Sequence, residues 1–168
     1  VDLSLASLAY AARMTERFGI SNIEYRQADI LTLGNPGRRF SMIECCGVLH
    51  HLDDPMAGWQ VLVGLLEPDG LMKIALYSEK ARSGIRAARD FIRPLNRPLT
   101  PDGIRRCRHA VMSLPDGHPA RDALTFRDFF TLDGCRDLIM HVQEHQFTLP
   151  RIADCIDRLD LQFLQLEC

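Results

Sequence analysis

The sequence predicts an α/β fold, in which a doubly wound, mostly parallel sheet carries a helical insertion. Residues 1–78 alternate apolar segments typical of strands with amphipathic segments typical of helices, a pattern that favours parallel strands joined by helical crossovers. Residues 79–146 contain five prolines and several short helical patterns but no convincing strand. Residues 147–168 return to a helix capped by Thr148 and a strand over Leu161–Leu166. We therefore predict a partial core, a helical insertion or lid, and a returning helix and strand of the core.

The first predicted elements are a helix over residues 5–18 and a strand over Ile23–Gln27. Apolar side chains recur in the helix at the spacing of one face. Ser4 is a suitable N-cap for this helix, and Gly19 is a suitable residue to end it. After the strand, the run of asparagine, proline and glycine at residues 35–37 predicts a turn.

A second strand, a helix and a third strand follow. The apolar run Phe40–Val48 is typical of a strand buried on both faces of a parallel sheet. Asp54 followed by Pro55 indicates the start of a helix, because proline suits the first helical position. We expect residues 68–70 to end this helix and Leu71–Tyr77 to form another buried strand. The predicted buried face of the helix consists of Trp59, Leu62, Leu65 and Leu66.

The composition is that of an ordinary globular protein. Hydrophobic residues make up 46% of the 168 residues and charged residues 25%, which excludes a disordered or fibrous chain. The formal net charge of -2 gives the chain as a whole no affinity for polyanions. The six cysteines form no CxxC pair, so we expect a reducing, cytoplasmic environment. No apolar run is long enough to span a bilayer and no leader pattern is recognised, so we expect no membrane partner.

Three short motifs carry a family resemblance. They are Val1–Ser4 (VDLS), Gln27–Ile30 (QADI), and Cys46–Pro55 (CGVLHHLDDP) followed by Leu66–Gly70 (LEPDG). In order and spacing they resemble the class I S-adenosylmethionine-dependent methyltransferases over about half of the chain. The resemblance implies a Rossmann-like methyltransferase fold and an enzyme that transfers a methyl group from S-adenosyl-L-methionine to an acceptor, which the sequence does not identify as a small molecule or a macromolecule.

The resemblance also implies which residues bind the cofactor. Ligands of open α/β sheets bind outside the carboxyl ends of the strands, where the first two motifs place an acid. Asp2 would accept hydrogen bonds from the ribose hydroxyls, and Asp29 from the adenine amino group. Gly47 would let the methionine part approach the main chain. The cofactor-binding residues implied in this way are Asp2, Leu3, Asp29, Ile30, Cys46 and Gly47. Either acid could instead be only a helix cap or a turn residue.

The sequence departs from the family at its start. The family's glycine-rich loop precedes the acid that corresponds to Asp2, but here only Val1 precedes it, and no GxGxG pattern occurs. We therefore interpret the sequence as a fragment or a degenerate form of the family, with a truncated fold. A missing central strand would leave an exposed sheet edge, which would favour a homo-oligomer.

His50 and His51 follow the third motif's strand and are the predicted catalytic residues. Histidine titrates near neutral pH and suits the removal of a proton from an acceptor hydroxyl or amine. The alternative is structural: one histidine caps local backbone and the other faces solvent. Methyl transfer depends largely on positioning, so it does not always need a base.

Two further patterns bear on function. His141–His145 matches the HxxEH pattern of zinc proteases, but the third ligand normally lies well downstream, and we predict no metal site. Lys80–Arg108 holds nine basic residues against two acidic ones. No nucleic-acid motif accompanies them, so we do not expect a nucleic-acid partner. The alternative function is a non-catalytic, methyltransferase-like domain that binds an anionic partner or another chain through this arginine-rich insertion. Otherwise the basic residues form a solvated face. The arginines at helical spacing are Arg82, Arg86, Arg89 and Arg93.

Overall fold

A computed structural model describes residues 1–34 and 37–167, so most of the turn predicted at residues 35–37 lies outside the described residues. The chain forms two compact units, Val1–Leu49 with Asp54–Ile74 and His50–Asp53 with Ala75–Cys168. Within the described part of the chain, no helix is long and apolar enough to cross a membrane. The helices and strands are α1 Leu5–Arg17, β1 Phe40–Cys46, α2 Pro55–Leu65, β2 Leu66–Ala75, α3 Ser83–Ile92, α4 Pro101–Met112, α5 Leu132–Ile139 and α6 Leu149–Arg158.

The helix starts of unit 1 are those that the sequence predicts. The Ser4 hydroxyl accepts a hydrogen bond from the Ser7 amide and caps α1, and Gly19 follows its end with φ +68°. Asp54 caps α2 by accepting from the Met56 amide. These predictions are confirmed. Helix caps can be predicted from sequence because the capping side chain bonds to an amide two or three residues ahead. The predicted buried face of α2 is confirmed for Trp59, Leu62 and Leu65, whereas Leu66 is buried but begins the following strand.

The strand that follows α2 begins earlier than the sequence predicts. Leu66 turns from helical to extended backbone, and β2 includes residues 68–70, which the sequence assigns to the end of the helix. Pro68 accounts for this difference, because a residue before proline is disfavoured in the helical region and proline has no amide to donate. The helix must therefore end before Glu67, and the chain continues directly as a strand.

The prediction that both strands are buried on both faces is wrong. β1 and β2 form a two-stranded sheet. Cys45 is the buried residue of β1 and Leu66 that of β2, and most of their other side chains are exposed. An apolar run shows that a strand can be buried, but burial also requires elements that cover its faces. The described part of unit 1 supplies too few of them.

Two predicted strands do not form as such. Residues 23–27 contribute one parallel bridge, in which the Asp2 amide donates to Arg26 O at 3.2 Å and the Ala28 amide donates to Asp2 O at 3.3 Å. This bridge keeps the predicted parallel neighbours together without a full strand. Residues 161–167 form no strand, and the Leu161 amide instead donates to Ile156 O of α6 at 3.1 Å.

Residues 83–139 of unit 2 are largely helical, as the sequence predicts, whereas residues 140–146 of the predicted helical insertion form no helix. α3, α4 and α5 pack with two short 3₁₀ helices around Phe129, which is fully buried. Thr148 caps α6 by accepting from the Arg151 amide, which confirms the predicted helix start. Residues 147–167 belong to unit 2 in the structure. The three-part division of the chain stays a prediction.

We predict opposite effects for two glycine-to-alanine substitutions in helices. A Cβ on Gly103 of α4 would lie 1.9 Å from the Pro98 carbonyl oxygen, whereas a Cβ on exposed Gly64 of α2 would meet nothing within 4 Å. Gly103→Ala should lower the free energy of unfolding by about 1–3 kcal/mol through overpacking. The control Gly64→Ala should raise it by about 0.5–1 kcal/mol. Urea unfolding measures both, and equal effects of the two would contradict the close packing at Gly103.

Candidate functional site

Asp2 lies at the start of α1 and uses part of its carboxylate locally. Its Oδ1 accepts a hydrogen bond from the Ser4 amide at 2.7 Å, and the side chain is exposed. Among the described residues, Oδ2 has no hydrogen-bond partner. The cap and the ligand hypotheses are therefore compatible, since one oxygen serves the turn and the other is available to a ligand.

Asp29 repeats this arrangement beside Asp2. Its Oδ1 accepts from the Leu31 amide at 2.9 Å and so begins the short 3₁₀ helix Ile30–Thr32, in which Ile30 is half-buried. Because Ala28 bonds to Asp2 O, the parallel bridge brings the two acids to neighbouring positions. Leu3 is exposed, and its carbonyl accepts from the Gln27 side chain at 2.9 Å.

Cys46 and Gly47 form the end of β1 and the turn after it. Gly47 has φ +76°, a backbone conformation that glycine adopts without strain. A Cβ placed on it would meet no protein atom within 4 Å, so the main chain here is open to a ligand. Cys46 is exposed, with its Sγ 3.5 Å from Glu44 Oε1. The predicted cofactor residues therefore lie in unit 1 on turns that follow paired backbone.

His50 belongs to unit 2 and is 1% exposed. Its ring stacks on Tyr77 with centroids 3.8 Å apart, and the Arg82 guanidinium lies 3.8 Å from the centre of the same ring. Two groups at that distance cannot share a face, so Tyr77 separates them. Neither ring nitrogen of His50 has a hydrogen-bond partner among the described residues. In the structural alternative, one histidine caps local backbone and the other faces solvent. His50 is buried, so it is not the histidine that faces solvent.

Burial makes His50 a poor proton acceptor at neutral pH. Desolvation lowers the pKa of His50 from 6.5 to about 4, with a further lowering from the nearby His51 and an opposing effect from Glu144. The ring is therefore neutral at physiological pH, and it stacks on Tyr77.

His51 is half-buried and is oriented by a distant part of the chain. Its Nδ1 lies 2.9 Å from the carbonyl oxygen of Gln143, and its ring stacks on that of His141 with centroids 4.0 Å apart. A carbonyl can only accept, so the Nδ1 of neutral His51 carries the proton and the Nε2 lone pair is free. His51 is thus the better placed of the two predicted catalytic residues.

The segment His141–Phe147, which we call the strap, holds these rings. Its amides of His145 and Phe147 donate to His50 O at 2.7 Å and to Tyr77 O at 2.8 Å. The strap forms no helix, so the helical arrangement that a HxxEH zinc site requires is absent. Its backbone bonds to other segments instead of to itself. Within the described residues, no group of three His, Cys, Asp or Glu side chains lies close enough to hold a metal ion.

Glu144 anchors the strap in the interior of unit 2. Its carboxylate is 1% exposed and accepts from Arg82 Nε at 3.1 Å, from Arg82 Nη2, and from Arg89 Nη1 at 3.1 Å. Gln146 donates a further bond at 3.0 Å. Burial alone would raise the pKa of Glu144, but the hydrogen bonds from Arg82 and Gln146 and the charges of Arg82 and Arg89 lower it.

The arginines at helical spacing are therefore not a free basic face. Arg82 and Arg89 bind Glu144, and Arg89 also donates to His141 O. Arg86 Nη1 donates to Gln146 Oε1 at 3.0 Å, and Arg93 pairs with Asp90 at 3.0 Å. The expectation of a solvated face is wrong for Arg82, which is buried.

Sequence reasoning missed Tyr77, Gln143 and Glu144 as parts of this cluster. The HxxEH pattern lies in the strap, but it indicates a zinc site and not the contacts that the strap makes. The arginines at helical spacing are recognisable in the sequence, but the acid with which two of them pair is not. Nothing local identifies Glu144 as that acid, because it lies 62 residues from Arg82.

Comparisons with known proteins point in the same direction as the motifs. Residues 1–70 match a family model described as a methyltransferase domain. The chain is 30% identical over 98% of its length to an uncharacterized protein, syc1184_c, of Synechococcus sp., and covers 41% of that protein. Two solved structures of PKMT2 from Rickettsia typhi are similar at 15% identity. The one in complex with AdoHcy has a TM-score of 0.66 and the other 0.72.

These comparisons confirm the class I methyltransferase resemblance over residues 1–70 and the α/β, Rossmann-like fold class. The chain aligns over 93% and 94% of its length with the two PKMT2 structures and covers 32% of each of those chains. It therefore spans less than half the length of PKMT2 and of the Synechococcus protein.

We predict that His50 makes unit 2 lose stability in mild acid. The pKa of His50 is about 4 in the folded protein and 6.5 in the unfolded chain, so the unfolded chain binds the proton more tightly. The free energy of unfolding that the neutral, buried ring contributes is therefore complete above pH 6.5 and is lost as the pH falls toward 4. The loss is about 3 kcal/mol, at roughly 1.4 kcal/mol per pKa unit. His50→Phe keeps the stacking and should remove this part of the pH dependence, whereas exposed His109→Asn should not. Urea unfolding at pH 7 and pH 4.5 measures it, and an unchanged slope in His50→Phe would contradict the burial of a neutral ring.

Proposed function

We propose that the chain is part of an S-adenosylmethionine-dependent methyltransferase. The observation that carries the proposal is the neighbouring pair Asp2 and Asp29, each with one carboxylate oxygen in a turn, together with the open main chain at Gly47. The match of residues 1–70 to a methyltransferase domain supports it. So does the complex of PKMT2 with AdoHcy, the product that S-adenosylmethionine leaves after methyl transfer.

The residues present fit this cofactor. The second oxygen of Asp2 can accept from vicinal ribose hydroxyls, since it has no partner among the described residues. Asp29 can accept from the adenine amino group, with the half-buried Ile30 as an apolar neighbour. Cys46 and Gly47 would hold the ammonium group through backbone carbonyls, and a Cβ on Gly47 would meet no protein atom within 4 Å. When bound, S-adenosylmethionine supplies an electrophilic methyl group on a sulfonium.

His51 would serve the acceptor. An acceptor hydroxyl or amine that takes the methyl group must lose a proton, and the free Nε2 of His51 can accept it, with Nδ1–H held by Gln143 O. The new bond joins the acceptor oxygen or nitrogen to the methyl carbon, the sulfonium bond breaks, and the sulfur becomes a thioether. The acceptor itself, small molecule or macromolecule, stays open.

The alternative function, a non-catalytic domain that binds an anionic partner through its basic segment, has less support. Four of the nine basic residues that suggested it, the arginines at helical spacing, have partners within unit 2, namely Glu144, Gln146, Asp90 and His141. An anion would have to displace these contacts before it could bind there.

We predict that Asp2→Ala in the full-length protein weakens S-adenosylmethionine binding at least about tenfold. A charge-assisted hydrogen bond contributes roughly 1.5–3 kcal/mol, and about 1.4 kcal/mol is one decade. The matched control is Asp54→Ala, since Asp54 also accepts from the amide two residues on, at 2.9 Å, but is no cofactor residue. Calorimetric titration measures both variants.

The cap hypothesis predicts a different pattern. If Asp2 is only a cap, both substitutions lower the melting temperature similarly and neither changes the affinity for the cofactor. That outcome would remove Asp2 from the proposed site. Failure of the unsubstituted protein to bind S-adenosylmethionine would contradict the proposed function.

We also predict that His51→Asn lowers methyl transfer by at least about 100-fold, within the range lost with a general base. The asparagine amide can still donate to Gln143 O, so the local structure is kept while the basic nitrogen is lost. The readout is tritium transferred from methyl-labelled S-adenosylmethionine to fractionated cell extract. Exposed His109→Asn is the control, and equal transfer by the two variants would contradict a role of His51 as a base.

A further inference from the structure

We propose that the strap His141–Phe147 is a positioning element that fixes His51 in one tautomer, with Gln143 as its central residue. The inference rests on the proposed function and deepens it, because it concerns the proton acceptor of the proposed reaction. The strap lies about 90 residues from His51 in sequence and would orient its ring. The buried neighbour His50 has no such hydrogen bond to the strap from its ring.

The hydrogen bonds around Gln143 define the protonation of two rings. Its carbonyl lies 2.9 Å from His51 Nδ1, which must donate to it. Its own amide donates to His141 Nδ1 at 3.2 Å, so the proton of a neutral His141 is on Nε2. One residue thus accepts from the first ring and donates to the second.

The free nitrogen of His51 keeps access to solvent. His51 Nε2 has no hydrogen-bond partner among the described residues, and it is not one of the buried unpartnered atoms, which include both ring nitrogens of His50. The stacking of His51 on His141 leaves the ring little freedom to rotate. The geometry therefore presents one basic nitrogen in a fixed direction, as general-base catalysis requires.

Gln143 is itself held at both ends. Its side-chain Nε2 donates to Leu52 O at 3.0 Å, next to His51 in sequence. On the other side, Glu144 is fixed by Arg82 and Arg89, so the backbone of Gln143 cannot move without disturbing a buried ion cluster. The Leu52 carbonyl on one side and the buried Glu144 carboxylate on the other thereby set the position of the Gln143 carbonyl.

The test is nitrogen-15 NMR of the histidine rings in the full-length protein, where protonated and unprotonated ring nitrogens have distinct shifts. We expect His51 to be a single tautomer with the proton on Nδ1. Gln143→Ala, which removes the anchor to Leu52 O, should convert His51 to a mixture of tautomers. Gln60→Ala on the exposed surface of α2 is the matched control and should leave His51 unchanged.

A second variant keeps the inference testable if Gln143→Ala does not fold. Gln143→Glu preserves the size of the side chain but replaces the amide donor by an acceptor, and it should give the same mixture. A single Nδ1–H tautomer that persists in the folded variants would overturn the inference. So would a proton on Nε2 of His51 in the unsubstituted protein.

Cofactor titration separates this inference from its premise. S-adenosylmethionine should bind the unsubstituted protein and Gln143→Ala with the same affinity within about twofold, since Gln143 is not among the proposed cofactor residues. Loss of binding by Gln143→Ala alone would overturn a positioning role confined to His51. Absence of binding by the unsubstituted protein would overturn the proposed function. The tautomer of His51 would then have no role in methyl transfer.

Discussion

The buried carboxylate of Glu144 is the constraint on which the arrangement of unit 2 depends. A carboxylate that is 1% exposed must be paired and fully hydrogen-bonded, and Arg82, Arg89 and Gln146 meet that demand. Because the arginines lie on or next to α3, the acid fixes the strap against that helix. Backbone amides of the strap then donate hydrogen bonds to the carbonyl oxygens of His50 and Tyr77. A polar requirement in the interior therefore determines where the rings lie.

Two adjacent histidines acquire different chemistry from this single arrangement. His50 is enclosed against Tyr77 with both nitrogens unpartnered, and burial lowers its pKa to about 4. His51 keeps a hydrogen bond to Gln143 and an accessible nitrogen. Leaving a buried polar group unpaired costs roughly 1–3 kcal/mol, so unit 2 gives up stability at His50. Packing, not residue type, decides which of the two can exchange protons with an acceptor.

The sequence predicts what depends on nearby residues and misses what depends on distant ones. Ser4, Asp54 and Thr148 are recognisable as helix caps because a cap bonds to amides two or three residues ahead. Asp2 and Asp29 of the candidate cofactor site lie in short motifs that can be read directly from the sequence. Gln143 and Glu144 have no such local signature, since His51, Arg82 and Arg89 lie 55 to 92 residues away from them. Apolar runs likewise predict strands but not the elements that cover them.

The strap illustrates why a motif needs its structural context. The letters of HxxEH imply two histidines on one helical face, with the glutamate beside them as a base. Here the same glutamate is an interior counter-ion, and its lowered pKa keeps it charged rather than poised to accept a proton. His141 stacks on His51 instead of facing His145 across a helical turn. Once the backbone amides of the strap bond to other segments, the helix cannot form. Under the proposed function, the proton acceptor is His51, which the strap orients, and not the glutamate of the motif.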